Sequence, residues 1–230
     1  MLENVGSRMA RQDKANKYRE RNPERAGHRE GGGNGRRYAL YGAAGVGLLA
    51  VAGAGFFLYR EKSVEKPRHR VVEQDGYFEV REYPELLVAE AKVAGERGYA
   101  LDKGFGQLAD YIFAKSRGGD KVAMTAPVLS ASAGGEDWVT RFVMPSHLTR
   151  ETLPQPDPGI SIATLPARRV AAIRFAGTAD EATIAGYEEQ LRHWVGAKKL
   201  KAAGEPERAF YNSPFMPGPL RRTEVLIPLE

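Results

Sequence analysis

Two stretches of this 230-residue chain match at a constant spacing of 82 residues, and that match limits the fold more than any other feature. Tyr83-Pro84 followed by Val88, Ala89, Ala91, Val93, Ala94 and Gly95 corresponds to Leu165-Pro166 followed by Val170, Ala171, Ile173, Phe175, Ala176 and Gly177. A helical pattern follows each, Leu101 to Ala114 and Asp180 to Val195, with Phe105 opposite Tyr187 at the same spacing. Phe142-Val-Met-Pro145 and Val225-Leu-Ile-Pro228 close the two halves at a spacing of 83. A duplicated unit packs most simply about a pseudo-twofold. Each half reads strand, strand, helix, strand, strand: 77–82, 85–94, 99–115, 120–130 and 137–145, then 160–164, 168–177, 180–202, 207–213 and 222–229. Ala89, Ala91 and Val93 alternate with Glu90 and Lys92, as in a strand buried on one face. The expected fold is α+β: a distorted eight-stranded antiparallel β-barrel from two β-β-α-β-β repeats flanked by two helices.

In the first helix Leu101, Phe105, Leu108 and Ile112 fall at steps of four, three and four, one apolar stripe. Gly118-Gly119 stops the helix. Lys121–Val128 resumes as extended chain, because the residue before Pro127 disfavours helix.

The globular part, 71–230, is preceded by three segments. Residues 1–37 hold ten Lys/Arg against five Asp/Glu and end in GGGNGRR, an expected disordered basic tail. Residues 38–59 carry no charge over 22 positions, long enough as a helix (about 33 Å) for a transmembrane signal anchor. Tyr38, Tyr41 and Tyr59 suit interfacial positions. Residues 60–70 read as a charged linker. The positive-inside count is tied, with five basic residues on each flank, so the orientation with the C-terminal domain extracytoplasmic rests on the cost of moving the basic tail across. Residues 61–230 hold 23 basic and 24 acidic side chains, so the basic character belongs to the tail and a nucleic-acid partner is not expected. The absence of cysteine excludes disulfides, thiolate metal sites and cysteine nucleophiles.

No G-x-S-x-G, H-E-x-x-H or phosphate-loop motif occurs, and no enzymatic activity is expected. Gly104-Phe-Gly106 lies inside the helical pattern, so both glycines read as close-packing points. The four histidines, His28, His69, His147 and His193, show no metal-ligand spacing, and His193 is only a weak candidate for an axial metal ligand. What remains is apolar: AFYNSPFMPGPL at 209–220 places Phe210, Tyr211, Phe215 and Met216 among three prolines. Such a loop either covers a core or lines a pocket for a flat apolar ligand against the first helix. Lys103, Lys115, Arg221 and Arg222 stand near enough in sequence to meet acidic groups on that ligand.

Lys121-Val-Ala-Met-Thr-Ala-Pro-Val128, Phe105 and Tyr111-Ile112-Phe113 on the preceding helix, and Phe210-Tyr-Asn-Ser-Pro-Phe215 with Arg221-Arg-Thr-Glu-Val-Leu-Ile-Pro228, together resemble the SOUL haem-binding protein family over 71–230. The resemblance implies the two-repeat barrel and non-covalent binding of haem or a related tetrapyrrole (porphyrin) in an apolar groove. Carried over, the groove falls on Phe105, Leu108, Tyr111, Ile112 and Lys115, facing Tyr211, Phe215 and Met216. The family shares no one axial histidine, and this helix offers none. The anchor lies outside the resemblance and suggests a membrane-tethered bacterial member. The architecture also resembles the GyrI-like effector-binding domains, which bind cationic or other small molecules and sometimes hydrolyse them; there Glu224 is the acid to watch. A membrane-tethered interaction module without a small ligand is the third alternative.

Overall fold

The computed structural model describes residues 63–230 except 117, 214 and 215; the basic tail (1–37) and the apolar segment (38–59) lie outside the described residues. The strands are β1 (Arg70–Asp75), β2 (Phe78–Tyr83), β3 (Leu86–Ala94), β4 (Val128–Gly134), β5 (Asp137–Val143), β6 (Ile160–Leu165), β7 (Arg168–Ala176), β8 (Glu207–Phe210) and β9 (Arg222–Leu229). The helices are α1 (Arg97–Ile112) and α2 (Glu181–Ala197). Among the described residues no helix is long and apolar enough to cross a membrane.

All nine strands form one antiparallel sheet in the order β1-β2-β7-β9-β8-β4-β5-β3-β6, curled into a half-barrel with β1 and β6 at its edges. This corrects the eight-stranded barrel expected from the sequence. The added strand, β1, is exposed or half-exposed at every position, so it carries no alternation to be read. Without β1 the order is palindromic under exchange of halves: β2 and β6, β3 and β7, β4 and β8, and β5 and β9 trade places. The 82-residue spacing holds in the hydrogen-bond register. Phe78 faces Ile173 and, 82 residues on, Ile160 faces Ala91. It also holds in the turns after β3 and β7, where Gly95 and Gly177 have φ of 117° and 111°, a region L side chains rarely enter. The last strands depart from it. Val88 faces Val143 but Val170 faces Pro228, a spacing of 85 rather than 83. The shift is even, so each side chain keeps its face.

Both helices pack on one face of the sheet. The α1 cluster holds Ala89, Ala91, Leu108, Tyr111, Ile112 and Phe142. The α2 cluster holds Ala171, Ile173, Phe175, Ile184, Leu191 and Val225, the repeat-related positions on β7 included. The opposite, second face is lined by Val88, Leu129, Val143, Val170, Ala172 and Leu226. Glu96 caps α1 by accepting from the Gly98 and Tyr99 amides, and Asp180 caps α2 by accepting from Thr183.

Strand β4 begins eight residues later than the expected 120, because residues 120–127 are spent crossing from α1 to the sheet. Val122 donates its amide to the Ile112 carbonyl at 2.8 Å, the Thr125 hydroxyl donates to the Val143 carbonyl, and the Ala126-Pro127 bond is cis. The linker is also part of the fold: Val64 packs against the second-face cluster and Glu65 bridges to Thr125. Helix α2 ends at Ala197 rather than 202, where Lys199 turns the chain with φ 56°.

Candidate functional site

The apolar stripe of α1 is spent on the sheet. Leu108, Tyr111 and Ile112 are at most 1% exposed and are covered by Val122, Phe142, Met144 and Leu153. The Tyr111 hydroxyl donates to the Pro154 carbonyl at 2.6 Å. Burying such side chains stabilises the fold by roughly 2–3 kcal/mol each, enough to fix the helix in place. Phe105 is half-buried at the edge of the cluster, edge-to-face with Phe142 at 5.3 Å. Lys115 is exposed, 3.5 Å from the Asp110 carboxylate.

The loop between β8 and β9 starts beside this region, because β8 is the neighbour of β4 in the sheet. Phe210, half-buried at the end of β8, packs against both helix clusters. It pairs across the seam with Val128, which follows the 120–127 crossing. Phe210 is therefore the side chain joining α1 to the loop, although alternation along β8 gave no reason to prefer it over its neighbours. The next residue, Tyr211, points to the second face. Met216 is buried, and its carbonyl accepts from Arg221 Nε at 2.8 Å. Phe215 lies outside the described residues. Among the predicted residues, then, Phe105, Leu108, Tyr111 and Ile112 share one cluster, which Phe210 joins from β8, while Tyr211 sits on the other face of the sheet.

Behind Tyr211 the second face carries a charged cluster that the sequence did not announce. Glu224 is fully buried, and Arg81 grips it with two donors, at 2.6 and 3.2 Å. Arg174 donates to the same carboxylate at 3.0 Å, Arg222 at 2.6 and 3.1 Å, and the Tyr211 hydroxyl at 2.9 Å. Arg81 Nε also donates to Glu79 at 2.6 Å. Burial alone would raise the Glu224 carboxyl, but the Arg81 hydrogen bonds and charge, with Arg222 behind them, pull it down to about 2. Burial and the charge on Glu224 push the Tyr211 phenol well up, so it remains a neutral donor. A second cluster on the same face joins Glu90 and Glu207 to Arg141 and Arg168.

His193 is exposed on α2 beside the buried Trp194. Among the described residues no group of three His, Asp or Glu side chains is placed to hold a metal ion. Helix α1 carries no histidine that could ligate an iron.

No curated protein matches the chain in sequence. Among solved structures, the C-terminal domain of EcmrR aligns with a TM-score of 0.52 at 15% identity, covering 66% of this chain and 96% of that one. EcmrR in its DNA complex aligns with a TM-score of 0.52 at 14% identity, over 86% of this chain and 70% of that one. At such identities the likeness concerns the fold alone. The family model described as "SOUL heme-binding protein" matches residues 64–228. The chain belongs to the SOUL heme-binding protein family.

Proposed function

We propose that this chain binds haem or a related tetrapyrrole non-covalently, as a non-enzymatic carrier, buffer or sensor tethered to a membrane by residues 38–59. The family match over 64–228 carries the reading. The macrocycle lies where the β8–β9 loop meets the 120–127 crossing and the C-terminal end of α1. Phe105 and Phe210, both half-buried beside the α1 cluster, offer apolar surface there, with the exposed Lys115 just past the helix. Leu108, Tyr111 and Ile112 back this surface from beneath α1 rather than touching the ring, because the sheet already covers them.

The effector-binding alternative needs a carboxylate free to meet a cation. Glu224 is the buried acid in the right place, yet three guanidinium groups and a phenol already satisfy it. A cationic ligand would have to displace charge-assisted hydrogen bonds without matching them. The same neutralisation removes Glu224 as a general acid or base.

Titration of the full-length protein with hemin tests the reading. A saturable, shifted Soret band is expected, with at least tenfold weaker binding in Phe215→Asp at an unchanged melting temperature. A linear, unsaturable spectrum would reject tetrapyrrole binding. The membrane tether rests on the uncharged 22-residue run and its flanking arginines. Release of the protein by alkaline carbonate without detergent would reject it.

A further inference from the structure

The two charged clusters of the second face differ in one respect. Glu90 and Glu207 meet Arg141 and Arg168, two charges against two. In the other cluster Glu79 and Glu224 meet Arg81, Arg174 and Arg222, two against three. The surplus positive charge is not buried in the middle. Arg81 is 1% exposed, with each guanidinium nitrogen donating to Glu79, Glu224 or Tyr83, whereas Arg174 and Arg222 are 45% and 32% exposed. Both donate to the same oxygen of Glu224, so their guanidinium groups lie side by side. Arg174 uses Nε on Glu224 and Arg222 uses Nε and Nη2; among the described residues the Nη1 nitrogen of neither has a hydrogen-bond partner. The Arg222 guanidinium also stacks on the Tyr211 ring at 4.0 Å, which fixes its plane at the base of the β8–β9 loop.

We propose that Arg174 and Arg222 form an anion subsite that receives a carboxylate of the ligand held by the β8–β9 loop. A purely structural network gains nothing from a third cation around one buried carboxylate, since like charges at this range repel. Two adjacent guanidinium groups with outward donors match the geometry of a carboxylate. The subsite turns the polarity of this face to anions, and it orders the ligand: the acidic edge at Arg174 and Arg222, the apolar body towards Tyr211. This rests on the tetrapyrrole reading for its preferred ligand, but the subsite chemistry, carboxylate on paired arginines, stands apart from it.

The test uses full-length protein and Arg174→Gln, a change that leaves Glu224 its Arg81 and Arg222 partners. Three probes are titrated: protoporphyrin IX, its dimethyl ester, and isophthalate, a dicarboxylate without a macrocycle. The expected result is at least tenfold tighter binding of the free acid than of the ester, with Arg174→Gln removing that gap while the two proteins melt alike. Equal affinity for acid and ester, or a gap that Arg174→Gln leaves intact, overturns the subsite while the tetrapyrrole reading survives. If neither porphyrin binds, the tetrapyrrole reading fails. Isophthalate binding that is lost in Arg174→Gln then still supports the subsite, and its absence overturns that too.

Discussion

Glu224 and Gly104 show how single positions decide outcomes here. Replacing Glu224 by Gln leaves the buried Arg81 with Glu79 as its remaining carboxylate, and breaking a buried pair in this way costs about 3–5 kcal/mol. The same carboxylate sets an acid limit. Its folded-state value, about 2, lies below the ordinary 4.5, so the folded chain binds fewer protons than the unfolded one. The stabilisation, on the order of 3 kcal/mol, is complete above about pH 4.5 and is lost as the pH falls towards about 2. Urea midpoints should therefore fall between those values in the wild type and stay flatter in Glu224→Gln; parallel curves would refute the assignment. The two glycines of α1 separate in the same concrete way. A Cβ on Gly104 would stand 2.8 Å from the hydroxyl oxygen of the buried Thr140, while one on Gly106 would meet nothing within 4 Å. A helical glycine-to-alanine change gains up to about 1 kcal/mol, and overpacking a core loses about 1–3 kcal/mol. Gly104→Ala should lower the melting temperature and Gly106→Ala should raise it. The motif Gly104-Phe-Gly106 suggested two close contacts; only one exists, because sequence spacing shows that a glycine lies on a helix and not what stands opposite it.

At the scale of elements, alternation and periodicity located what is buried and missed what is exposed or crossing. Strands β2, β3, β6 and β7 were legible because one face of each meets a helix. Strand β1 was not, since an edge strand in solvent needs no apolar face. The run 120–127 has strand-like composition and became a crossing, held by its amides and by Thr125 rather than by a ladder. The α1 stripe was found, but a stripe does not say whether protein or ligand covers it, and here the sheet does. The arginines around Glu224 lie far apart in sequence, at 81, 174 and 222, so only register could gather them. The linker carries charge, yet the Ala126 amide donates to the Glu65 carbonyl at 2.9 Å and the Ser146 amide to the Glu65 carboxylate at 2.9 Å. Two hydrogen bonds contribute about 1–3 kcal/mol, and Val64 adds apolar burial. A protein beginning at Pro67 should melt several degrees below one beginning at Ser63 by calorimetry. Coincident transitions would show that the segment merely rests on the barrel.

The whole molecule is a duplication whose halves exchange their first strands. Strand β2 of the first half pairs with β7 of the second over six residues, and β6 of the second pairs with β3 of the first over six. The seam between β4 and β8 adds four residue pairs. Within one half, β3, β4 and β5 pair among themselves under α1, and β7, β8 and β9 do so under α2. A half on its own would therefore keep a three-stranded sheet and its helix, lose the partner of its first strand, and expose the second-face residues that the other half helps cover. Val88, Leu129 and Val143 from one half share that cluster with Val170, Ala172 and Leu226 from the other. Opening it returns five Val and Leu side chains and one Ala to water, roughly 1.5–3 kcal/mol for each of the five, against a whole-domain stability of about 5–15 kcal/mol. Residues 63–155 and 156–230 produced separately should each lack a cooperative melt by circular dichroism. Mixed in equal amounts, they should regain strand signal and elute together at the mass of the pair. A cooperative transition in either fragment alone would mean that the duplication joined two units already able to fold, and that strand exchange came after stability rather than supplying it.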